Sequence, residues 1–212
     1  MDTDARLGGA ALILGAAMGL VTMALHPTGH DLANAEHFEH VARLAKVVHA
    51  LAIASVPVTF LGALALARRL GGPDRAATAG LVAFALASFA VVVAAVMSGF
   101  VGPDLMRDHL AADTGGKEAV HRLLDLVHAV NQAFARVHVV ASSVAIGLWS
   151  VAILKGRGLA KGLGVYGLVF GAAASLAVLS GHLRLDVHGF GAVMLGEAGW
   201  WVAAGVLLLR GR

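Results

Sequence analysis

Eleven histidines, five methionines after Met1 and one acid inside an apolar run hold most of the chemistry available to this chain. Imidazole is the commonest side-chain metal ligand and suits Zn, Cu and Fe, while thioether sulfur favours Cu(I). Cysteine is absent, which excludes disulfides, iron–sulfur clusters and thiolate metal sites. The histidines fall in groups. His26-Pro-Thr-Gly-His30 and His37-Phe-Glu-His40 leave gaps of three and two residues, and helical spacing of this kind puts two ligands on one face. The first pair straddles a Pro–Gly turn. His121, Asp125 and His128 share one face of a helix in the same way. In His182-Leu-Arg-Leu-Asp186-Val-His188 the carboxylate can orient a neighbouring imidazole by accepting its second N–H. The alternative there is a solvated loop with a local link to Arg184.

The elements that must position these groups are membrane helices. Of 212 residues, 58% are hydrophobic and 14% charged, and the mean hydropathy is +0.81. A soluble domain carries about a quarter charged residues. Six runs at about 7–25, 47–67, 77–100, 137–154, 162–181 and 190–209 are long enough to cross a bilayer, which takes roughly 20 helical residues. They lack the alternation of barrel strands. The expectation is an all-α bundle of six transmembrane helices forming one domain over residues 1–212, with the first run a retained helix rather than a signal peptide. Gly162, Gly164, Gly167 and Gly171 mark a close-packing seam rather than a nucleotide loop. The pI of about 9.8 comes from basic residues in short loops beside the spans, which is a membrane-orientation signal and not a nucleic-acid site.

Arg68, Arg69 and Arg75, then Lys155, Arg157 and Lys161, and finally Arg210 and Arg212 mark three segments as cytoplasmic. Both termini are therefore expected in the cytoplasm, in a cell membrane of the bacterial inner-membrane kind. With that orientation all eleven histidines lie on the outer side or at its interface, as do Met18, Met23, Met97, Met106 and Met194. Helical patterning continues beyond the bilayer from about Glu36 into the second span and from about Glu118 into the fourth, so these two helices should project outward as a cap.

The two extended helices share a short pattern, Arg43-Leu44-x-x-x-Val48-His49-Ala50 and Arg122-Leu123-x-x-x-Val127-His128-Ala129. Depth suggests a different pairing. His49 stands 19 residues before Arg68 and His138 19 before Arg157, which sets both at the outer edge of the hydrocarbon. Two histidines facing each other from two helices of a bundle have the ligation geometry of a b-type haem. No histidine lies on the inner side, so one haem is the limit. Glu197 falls inside the sixth span beside Trp200-Trp201. An acid at such depth should face the bundle interior and serve as ligand, proton carrier or general base.

The leading functional expectation is a membrane protein with an outer-face histidine site for haem b or a Cu, Zn or Fe ion, acting as an electron-transfer or oxidoreductase component. His49 and His138 are the cofactor pair, and Glu197 the catalytic candidate. The other classes are a zinc hydrolase with water activated near Glu197 or Asp186, a copper-handling transporter, and an accessory subunit of a membrane complex or homo-oligomer.

Overall fold

The computed structural model describes residues 3–28, 37–71, 75–156 and 160–211. Among them there is no strand, and the helices run α1 (Thr3–Ala24), α2 (Phe38–Arg69), α3 (Arg75–Val96), α4 (Gly102–Ala111), α5 (Thr114–Lys155), α6 (Lys161–Leu179) and α7 (Val187–Leu209). A π-helical turn, Met97–Val101, joins α3 to α4, so Arg75–Ala111 is one continuous helical rod. Six rods are long and apolar enough to cross a membrane. The chain is a six-helix membrane bundle.

The helices beyond the spans differ in one respect from expectation. The second and fourth rods are long, 32 and 42 residues, but the third also overshoots at 37 residues. Residues 102–111, which lie outside every span expected from sequence, are helix α4. Pro103 follows directly on the π-helical turn, where the backbone hydrogen-bond register already changes. The Asp113 side chain accepts from Gly116 N–H and starts α5, so that helix begins at Thr114 and not near Glu118. The cap is tied by exposed ion pairs: Lys46 Nζ to Asp104 at 2.8 Å, and Arg107 to Glu39 and Asp104 at 3.0 Å each.

Packing follows small residues. α1 lies against α2 and α7, α3 against α2 and α5, and α5 against α6. A Cβ at Gly9 would strike the Gly205 carbonyl, so α1 and α7 cross backbone to backbone. Three of the four seam glycines of α6 meet α5: Gly164 faces Ser150 and Leu154, Gly167 faces Ser150 and Ile146, and Gly171 faces the Ser143 carbonyl, whereas a Cβ at Gly162 would meet nothing. Near the chain termini Phe84, Trp149, Trp200 and Trp201 form a buried aromatic core. At the opposite end, which holds the described histidines, the helices part around a cavity.

Candidate functional site

His26 closes the first helix. Its N–H returns to the Met23 carbonyl at 3.4 Å, and Pro27 then prevents continuation. The ring folds back, with Nδ1 2.8 Å from the Pro27 carbonyl oxygen. On α2, His49 Nδ1 lies 2.7 Å from the carbonyl of Ala45, one turn earlier. A carbonyl can only accept, so in both rings the Nδ1–H donates and the lone pair of the neutral imidazole is on Nε2. These two Nε2 atoms face each other at 3.1 Å, with ring centroids 4.7 Å apart.

Two lone pairs at that distance repel. A cation between them reverses the sign, and it must be a proton or a metal ion. Burial holds His26 below the ordinary imidazole range, opposed by the bond to Pro27, so that ring resists holding the proton. With metal–nitrogen bonds of 2.0–2.1 Å, a separation of 3.1 Å corresponds to a ligand–metal–ligand angle of about 100°, near tetrahedral. Anchoring the second ring nitrogen to a carbonyl is also how ligand histidines are usually fixed.

The position of His49 is built into the backbone. Its ring packs on Gly99 in the π-helical turn, where any Cβ would overlap His49 Cβ and Cγ. Asn131 on α5 holds this turn, donating to the Ala94 carbonyl at 3.0 Å and to Ser98 Oγ at 2.9 Å. π-turns in α-helices recur at functional sites for this reason: the extra residue re-aims the side chains beyond it and opens space.

Two adjoining chambers fill the cavity. The wide one, about 340 Å³, is bordered by His26, His49, His128, Asn131, Gln132 and Asp186. The deep one, about 90 Å³, lies nearer the termini and is bordered by Ser88, His138, Glu197, Met194 and Trp201. Thr22, Met23, Ala52, Val91 and Phe190 border both and form the neck. In the deep chamber His138 Nδ1 donates to the Ala87 carbonyl at 3.0 Å. Its Nε2 is buried without a hydrogen-bond partner and stands 3.8 Å from Glu197 Oε2. Glu197 is 2% exposed and accepts from Ser142 Oγ at 2.5 Å.

The structure therefore sets His49 against His26, and His138 against Glu197. His49 borders the wide chamber and His138 the deep one. The other candidates are dispersed. His30 lies outside the described residues. His37 and His40 are exposed at the start of α2. His121 and Asp125 are exposed with 3.8 Å between Nε2 and Oδ2, and the His109 ring is 6.2 Å from that of His121. His128 is an exposed residue at the rim of the wide chamber. His182 Nδ1 bonds Ser180 Oγ at 2.8 Å. Asp186 uses its carboxylate as the N-cap of α7, accepting from the backbone N–H of Gly189 and His188, so it orients neither ring. Among the described residues no group of three or more His, Asp or Glu is gathered as a metal site. Further ligands for an ion at the His26–His49 pair would be the Met23 thioether, which borders the same chamber, solvent or a bound molecule.

Reasoning from sequence missed Gly99, Asn131, Gln132 and Ser142. The amide pair was the available signal, since two adjacent carboxamides stand within an increasingly apolar stretch of α5. No family model, curated protein or solved structure matches the chain.

Proposed function

We propose that this membrane protein binds a copper ion between His26 and His49 and uses it in electron transfer or as an oxidoreductase component. The observation carrying the reading is the pair of Nε2 atoms 3.1 Å apart, with each ring's Nδ1 against a carbonyl oxygen. Copper is favoured over zinc because Met23, three residues before His26, borders the same chamber and offers a thioether suited to Cu(I). A b-type haem held by His49 and His138 is less well supported, since His49 Nε2 is turned to His26 and His138 Nε2 to Glu197. The excess of basic residues at the terminal end, against only Asp2, Asp4 and Asp74, supports a cytoplasmic terminal end and a metal site on the outer face.

The test is metal analysis and an optical spectrum on protein purified without a histidine tag. One copper per chain, with nitrogen ligands by X-ray absorption and loss on either His26→Ala or His49→Ala, is expected. Failure to retain copper after loading with Cu(I) or Cu(II) would end the copper reading; zinc retention would transfer the site to the hydrolase class, and a Soret band would transfer it to haem. Orientation is checked with cysteines at Thr114 and Arg210, since the chain has none of its own. Impermeant thiol reagent should label position 114 and not 210 in intact cells.

A further inference from the structure

The deep chamber poses a separate problem. Three polar groups border it with capacity unused. His138 Nε2 and Ser88 Oγ are buried without partners, and Glu197 Oε2 has no hydrogen bond to match the one Ser142 makes to Oε1. Orphaned buried polar atoms are rare, and each needs an occupant or an explanation. The remaining border is mostly apolar, including Phe84, Phe190, Met194 and Trp201, and the hydroxyls of Thr22, Ser55 and Thr59 are committed as donors to backbone carbonyls of their own helices.

The separation of Nε2 and Oε2 defines the missing piece. At 3.8 Å they are too far apart to bond one another, yet one oxygen atom can sit about 2.8 Å from both. A water molecule would satisfy that point. Water filling the remainder of a chamber of about 90 Å³ would face aromatic and thioether groups without the two to four polar partners it requires. The matching occupant has one hydroxyl and an apolar body. Aromatic and methionine side chains around it favour a flat ring.

We infer that the deep chamber is a binding site for a lipid-soluble aromatic alcohol, a phenol or hydroquinone, whose hydroxyl bridges His138 and Glu197. The hydroxyl hydrogen goes to the Nε2 lone pair, which is free because Nδ1–H is committed to Ala87. Its oxygen accepts from Glu197 when the carboxyl carries the proton on Oε2. At about 90 Å³ the chamber alone is smaller than the roughly 150 Å³ cavity that accepts benzene. The ring consequently lies across the neck between Met23 and Phe190, and access is from the wide chamber. The hydroxyl contacts of this site use neither His26 nor His49.

Metal-free protein in detergent, titrated with 4-fluorophenol or 4-fluorotoluene and followed by fluorine NMR, tests the assignment. The probes share shape and differ in the hydroxyl. A saturable bound signal for the phenol, with at least tenfold weaker binding of the toluene, is expected, because a site built to hydrogen-bond a hydroxyl rejects an analogue without one. His138→Phe keeps a ring and removes the acceptor, and should weaken phenol binding at least tenfold. Gly19→Val narrows the chamber from α1 and leaves the polar pair alone; a Cβ there meets only the Met194 methyl, at 3.3 Å. It should abolish binding even if the histidine variant does not fold. Equal affinity for both probes would reduce the chamber to an apolar void. No saturable phenol signal would leave it to water, and undiminished binding in Gly19→Val would move the site elsewhere; each result overturns the assignment. Loss of copper binding at His26 and His49 would leave all these outcomes unchanged.

Discussion

The two ends of the bundle solve opposite problems. At the terminal end Trp149 and Trp200 are fully buried, and their indole N–H groups donate to the carbonyls of Ala77 at 3.1 Å and Leu163 at 3.3 Å. Rings of Phe84 and Trp200 each lie 5.0 Å from Trp201. Gly80 and Gly167 remove the side chains that would hold these indoles away. Around the cavity at the histidine end, His26, His49 and His138 each give one nitrogen to a backbone carbonyl, while the other nitrogens of His26 and His49 face each other and that of His138 faces Glu197. In lipid there is no hydrophobic drive between helices, so van der Waals packing and hydrogen bonds must supply stability. Concentrating them in the aromatic core lets the other end keep a cavity and unsatisfied groups. The floor between the regions is Trp201, which belongs to the core and also borders the deep chamber.

That division makes the aromatic core the most sensitive place to break. Trp149→Ala should destabilise by on the order of 3–5 kcal/mol, the range for deleting a large buried ring, read as a lower thermal midpoint in detergent. His138→Ala should cost distinctly less, because its ring already borders a cavity and its Nε2 has no partner to lose. Equal losses would erase the distinction between the ends. Next in size, His49→Ala should weaken copper at least 100-fold, about 2.7 kcal/mol, while leaving the midpoint much closer to wild type than Trp149→Ala does. A smaller effect is expected of Gly99→Ala, whose Cβ must displace His49. Supporting residues around a metal typically change affinity 10–100-fold, so a tenfold loss by competition titration is the expected reading.

The same contrast governs how far each region was legible in the sequence. The spans were visible because lipid demands long apolar helices, and Glu197 could be assigned to the interior because a lipid-facing acid is costly. The glycine seam of α6 was visible through its spacing. Pairing of the histidines was not, because residue counting gives depth but not rotation about a helix axis. His49 borders the wide chamber and His138 the deep one, and each ring is aimed by its own carbonyl, Ala45 or Ala87. The π-turn at Met97–Val101 shifts everything beyond it, and no local residue pattern announces it. The repeat linking His49 to His128 is misleading in environment, since the first is buried and the second exposed.

Asp186 offers the finest test, because it borders the wide chamber and yet is committed to the backbone. Its Oδ1 accepts from Gly189 N–H at 2.8 Å and His188 N–H at 3.1 Å. The Gly189 bond is the main cause holding the carboxyl below its ordinary range. A carboxyl whose value is lower in the folded protein stabilises the fold above the unfolded value near 3.9, and this contribution disappears as pH falls through the folded value. Asp186→Ala should therefore lower the thermal midpoint slightly at neutral pH, with the difference from wild type shrinking in strong acid. Asp186→Asn retains a capping oxygen and should remain near wild type at pH 7. Because the carboxylate is occupied by the start of α7, copper affinity should be unchanged in the Asn variant. A tenfold loss would instead make Asp186 a third ligand, through the carboxylate oxygen that the cap of α7 does not use.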